Sequence, residues 1–208
     1  MRMTELSAAV LAACALLSTG PASAGGPVVL SEGELDAVSA GSALSVAQAL
    51  ADAFGRRGTL TATGTSTFAR EQSVRRFTTG ASAALAVGDL LAATAVTNQS
   101  AVAGGGTAAA VAVDAGSIAA GGTSQSSGRT VARGGPFASV AFGTGVSVAV
   151  GGQTSADATA GGGATGNFLT ITGQVVVPVN AGQASVAAAV PWSVAVSLPD
   201  SVNALLGR

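Results

Sequence analysis

Between residues 81 and 197 the chain is written almost wholly in alanine, glycine, valine, serine and threonine, and its side chains alternate with a period of two. Gly145-Val146-Ser147-Val148-Ala149-Val150 is one such run, and Ala110-Val111-Ala112-Val113 is another. In an extended strand this period sends alternate residues to opposite faces, so one face carries valine and the other only small groups. Glycine clusters at 104–106, 121–122, 134–135, 151–152 and 161–163 interrupt the runs at the spacing of strands and turns. The expected fold class is all-β: a Gly/Ala/Val-rich antiparallel sandwich or β-solenoid, with short helices near the mature N-terminus and the C-terminus. Small faces let such sheets approach closely.

Charged residues make up 9% of the chain and hydrophobic residues 48%, which disfavours solvated disorder. Aromatic residues are only 3%, so burial must come from many small contacts, each weakly stabilising. There is no lysine, the residue with which sheets most often blunt their edges, and every cation is arginine. A net charge of −1 gives no overall field to draw in nucleic acid or anionic lipid, and no nucleic-acid partner is expected.

Three regions are expected: 1–24 a secretory signal, 25–58 a short helical segment, and 59–208 a β-rich domain. Arg2, the apolar run from Leu6 to Leu17 and Ala22-Ser23-Ala24 have the form that signal peptidase accepts, with Gly25 as the new N-terminus. The apolar run is too short to span a bilayer, and no transmembrane span is expected in the mature chain. Leu11-Ala12-Ala13-Cys14 also resembles a bacterial lipobox, which implies an alternative in which Cys14 is lipidated and anchors the protein to the outer membrane. Either way the expected location is outside the cytoplasm: the periplasm, or the extracellular space or surface of a bacterium.

Ser31 and Glu34 form a capping box, acids fill the following turn and Gly41 can end it, predicting a helix over 32–40. The stretch Leu30-Ser31-Glu32-Gly33-Glu34-Leu35-Asp36-Ala37-Val38-Ser39-Ala40-Gly41 resembles the L-S-x-x-E-L-D-x-V-x-G-G leader of bacteriocin-like and other small secreted bacterial peptides, with Ala40 in place of the first glycine. That resemblance implies recognition by an export or processing factor. Residues 42–54 fit both a helix face and a strand, and their alanines favour helix. Gly55-Arg56-Arg57-Gly58 reads as a turn.

From 59 the period is plainly two. Thr59, Thr61, Thr63, Thr65 and Thr67 share one face of a strand, a candidate binding face of adhesin or ice-binding type. Arg70, Arg75 and Arg76, with Glu71 among them and Phe68 and Phe77 nearby, form the densest charged patch, expected at a strand edge or hairpin tip and suited to an acidic surface polymer. Residues 168–172, 174–179 and 193–196 have the strongest strand propensity and are expected to hold the best-packed core. Pro178 and Pro191 should mark edges or bulges. Asp200-Ser201 can cap a last helix reaching Leu206.

The residue inventory excludes several chemistries. With no histidine there is no Ser-His-Asp relay or H-E-x-x-H zinc site, and with no lysine there is no P-loop or Schiff base. Gly161, Gly163 and Gly166 match G-x-G-x-x-G but precede a strand-like run instead of a helix. Asp89, Asp114, Asp157 and Asp200 are dispersed in settings typical of turns and caps. No catalytic residue, metal ligand or cofactor is expected. The expected function is a secreted, non-enzymatic structural or matrix protein, self-assembling through β edges, with the threonine-face binding module or a leader-carrying peptide precursor as alternatives.

Overall fold

The structure is a computed structural model that describes residues 43–72 and 75–206. The signal segment, Cys14 and the helix expected over 32–40 lie outside the described residues. Among the described residues eight strands follow one another: β1 (Ala43–Phe54), β2 (Thr59–Gln72), β3 (Arg75–Gly88), β4 (Leu91–Gly104), β5 (Thr107–Gly134), β6 (Ala138–Thr165), β7 (Leu169–Ala181) and β8 (Ala184–Val196). A short helix, α1 (Asp200–Leu205), ends the described chain. Every strand pair is antiparallel, which is the sandwich branch of the expectation and not the solenoid.

The organising unit is the β5–β6 hairpin, whose strands are 28 residues each. Halfway along, the ladder skips Gly121 and Gly152, and Gly121 adopts φ +64°, a left-handed conformation that glycine takes without penalty. The hairpin folds over on itself there. Residues 107–120 of β5 lie between β4 and the second half of β6, and β1 continues that first layer beyond β4. Residues 122–134 of β5 lie between β3 and the first half of β6, and β2, β8 and β7 complete the second layer.

Two of the glycine clusters, 104–106 and 134–135, end strands as expected, whereas 121–122 and 151–152 form the bend and 161–163 lies inside β6. Gly162 is needed by packing: a Cβ there would sit 3.0 Å from the Trp192 carbonyl oxygen of the opposing layer.

The interior between the layers is alanine with serine, threonine, asparagine and a few valines. Ala84, Val96, Ala115, Ala158, Ala187 and Ala189 form one buried cluster, and Val102, Ala109, Val111, Ala132 and Ala141 another. Hydroxyls bridge the layers directly: Ser100 to Thr130, Thr107 to Ser139 and Thr154 to Ser185, each at 2.8 Å. Ser147 donates to the Asp157 carbonyl at 2.8 Å and Ser193 to the Ala110 carbonyl at 2.9 Å. A serine hydroxyl can reach opposing backbone only where sheets lie well inside the roughly 10 Å of ordinary sandwiches. In the 145–150 run the small face, Gly145, Ser147 and Ala149, is the one that meets the other layer, whereas in the 110–113 run the valine face turns inward and the alanines point out.

Three sequence expectations are corrected. Residues 43–54 are strand, not helix, because all twelve positions pair with β4 and that ladder outweighs the helix propensity of alanine. The β-rich unit therefore begins at 43 and not at 59. The stretch expected to hold the best core instead includes β7, which is exposed at nearly every position because it is an edge strand. Pro178 lies on that edge, as expected. Pro191 lies in β8 where the β6–β8 ladder breaks between Phe142–Trp192 and Gly145–Ala189, as a residue without an N–H requires. Helix α1 forms as expected, but Pro199 occupies its N-cap and no side chain caps it.

Candidate functional site

With the interior filled mainly by alanine, serine and threonine, the larger side chains of the second layer go to its outer face. In the second layer the outward positions of β6 residues 138–150, β8 and β7 align across the ladders: Val140 with Val194 and Ile171, Val146 with Ala188 and Val177, Val148 with Val186 and Val179. Thr144 is the one polar side chain in this field. Trp192 lies over Gly173 of β7, where a Cβ would collide with its ring. Phe142, Val175 and Val177 are each about half exposed, at 48%, 50% and 49%.

The same face continues onto β5, β3 and β2 and there becomes cationic. One cross-strand row runs Arg70, Phe77, Arg133, Val140. The Arg133 guanidinium stands 5.2 Å from the Phe77 ring centroid, and Phe77 meets Phe68 at 6.0 Å between centroids with the planes tilted by 55°. Phe68, Arg70, Arg75, Phe77 and Arg133 line an open recess of about 650 Å³, which Arg76 also borders from its inward position. Arg129 lies four residues before Arg133 in β5, on the same exposed face.

The sequence patch Arg70, Arg75, Arg76 is thus divided by the pleat. Consecutive residues of a strand face opposite ways, so Arg75 points outward with Arg70 while Arg76 turns inward. Arg76 there is 17% exposed and pairs with Glu71, Nε to Oε1, at 3.5 Å. Arg129 and Arg133 replace it on the outer face. They were missed because they lie more than fifty residues away, although arginines at i and i+4 in an alternating run announce a shared face. Guanidinium groups stay charged and present forked donors that fit carboxylates.

Thr59, Thr61, Thr63, Thr65 and Thr67 do share a face, and all are exposed. Their partners across the ladder are Gly88, Ala86, Ala84, Ser82 and Gly80, the side of β3 that turns toward the first layer. The threonine ladder therefore lies at the margin of the inter-layer side, not on the arginine-bearing face.

The outer face of the first layer is different again. It presents Ala108, Ala110, Ala112 and Gly116 of β5, Thr159, Gly161 and Gly163 of β6, and Leu44, Leu50 and Phe54 of β1. Asp52, Asp114 and Asp157 are exposed on it. Among the described residues this face has no cation, and the outer face of the second layer has no carboxylate.

Among the described residues no group of three or more Cys, Asp or Glu side chains is placed to hold a metal ion. None of the described helices is long and apolar enough to cross a membrane. No family model, curated protein or solved structure matches the chain.

Proposed function

We propose that this protein is a secreted, non-enzymatic structural protein of the bacterial surface or extracellular matrix that acts by self-assembly. The observation that carries the reading is the outer face of the second layer, where valine and aromatic side chains stand exposed while the space between the layers is filled mainly by alanine, serine and threonine. Contiguous apolar faces larger than a few hundred Å² mark contact surfaces on soluble proteins. A strand that pairs on one side only also offers unpaired backbone donors and acceptors, and β1, β2 and β7 do so without any lysine. Export is supported by the signal-like N-terminal sequence, and mass spectrometry of the exported product distinguishes its routes: Gly25 as first residue for signal peptidase, Ser42 for leader removal, a lipidated Cys14 for anchoring.

Negative-stain electron microscopy of the concentrated secreted protein tests the assembly. Ordered polymers are expected. A stable monomer at high concentration overturns the proposal.

A further inference from the structure

We propose that the protein assembles front to back, the arginine-bearing outer face of the second layer of one copy docking on the aspartate-bearing outer face of the first layer of the next. This rests on the structural reading above and names the surfaces that carry it.

Charge complementarity is the first ground. Arg70, Arg75, Arg129 and Arg133 stand on one outer face, and Asp52, Asp114 and Asp157 stand on the other. Among the described residues the charges that stand on the two outer faces are separated by sign, while Arg56, Arg57, Glu71, Arg76, Asp89 and Asp200 lie in loops, in the helix or on the inward side. Such complementarity sets orientation and partner choice.

Shape and area are the second ground. The docking face of the first layer is mostly low, because its β5 and β6 side chains are alanine, glycine, serine or threonine except Asp114, Ile118, Gln153 and Asp157. The valine and aromatic side chains of the second layer can lie against it and against Leu44, Leu50 and Phe54, which are 51%, 43% and 55% exposed. Four strands at about 4.8 Å spacing, each about 40 Å long, offer about 800 Å² per copy. That is the size of a standard stable interface, near 1,600 Å² in total.

The alternatives fit less well. Pairing two arginine-bearing faces symmetrically would bring like charges together without a carboxylate between them. A lipid surface is recognised by aromatic residues at the margins of an apolar band. Here Trp192 and Phe142 face each other across the ladder within the field, with Gly173 on the far side of Trp192. Because the two docking faces differ, the interface is heterologous, and repeating it gives an open stack unless a rotation closes it.

The test is sedimentation velocity on the secreted full-length protein at low salt, on wild type, on Asp52→Asn/Asp114→Asn/Asp157→Asn and on Arg75→Gln/Arg129→Gln. The arginine variant leaves the Arg133–Phe77 contact intact, and circular dichroism checks the fold of each. Wild type is expected to form concentration-dependent oligomers that salt disperses. Each variant alone should associate at least tenfold more weakly. Mixed at equal concentration, the two should form dimers and nothing larger, since each retains the face the other lacks. Variants that assemble like wild type overturn the face-to-face contact while leaving self-assembly through edges standing. A monomeric wild type overturns both readings, and one that instead sediments with phosphatidylglycerol vesicles makes the face a lipid-binding surface. Growth of the mixture beyond dimers also overturns the inference.

Discussion

The two halves of strand β5 use the same alternation in opposite senses. In residues 107–120 the valines at 111 and 113 point inward, 3% and 0% exposed, and Ala110 and Ala112 point out. In residues 122–134 the serines at 124 and 126 and Thr130 point inward, and Arg129 and Arg133 point out. The difference lies in what each half meets. Val113 packs where Gly143 and Gly145 of the opposing layer leave room, since a Cβ on Gly143 would come within 2.8 Å of a Val113 methyl. Ser124 and Ser126 instead meet Thr94 at 2.8 Å each, so their hydroxyls satisfy one another in a gap too thin for larger groups. A two-residue period says which residues share a face. The bend and the opposing layer decide whether that face is core or surface.

The bend is where this contrast can be broken most severely. Gly122→Ala places a methyl against the backbone carbonyl of Val150, and no side-chain rotation relieves that. A loss of about 3 kcal/mol is expected, read as a shifted urea midpoint at unchanged slope. Gly163→Ala is the matched control in the same hairpin, with nothing within 4 Å of the new methyl. It should gain about 0.5 kcal/mol by restricting the unfolded chain. Equal effects at the two sites would mean that the layers do not close at residue 122.

The next contrast is between inward and outward valine. Val113→Ala removes two buried methyls and opens a cavity, for an expected loss of about 2 kcal/mol. Val177→Ala, on the exposed field of β7, should change stability by less than about 0.5 kcal/mol. A large loss at Val177 would show that the field is covered in the unassembled protein.

Much of this was legible beforehand, and the misses share a cause. The strand beginning at Thr59, the turn at 55–58 and the edge position of Pro178 all follow from local rules of alternation and turn chemistry. The helix read over 42–54 failed because propensity is a local quantity and the β4 ladder is not. The core read into residues 168–179 failed because strong strand propensity fits an exposed edge as well as an interior. Hydrophobicity alone gave no way to see that the inter-layer space was already filled by alanine and serine. Arg129 and Arg133 joined the arginine corner only through the β3–β5 pairing, which sets them beside Ala81 and Phe77, 48 and 56 residues away in sequence.

The smallest expected effect separates two neighbours, Arg75 and Arg76. Arg76→Gln removes the partner of Glu71 on the inward side, and because Glu71 is 54% exposed the pair contributes at most about 1 kcal/mol. A double-mutant cycle with Glu71→Gln should give a coupling of that size at low salt, shrinking as the Debye length falls from about 10 Å at 0.1 M to about 3 Å at 1 M. Arg75→Gln should leave stability unchanged within about 0.5 kcal/mol, because its exposed side chain faces away from the layer contact. It should nonetheless weaken association between copies, whereas Arg76→Gln should not. If both substitutions altered stability and association alike, the two arginines would be acting as one patch, and the assignment of one to the fold and the other to the surface would fail.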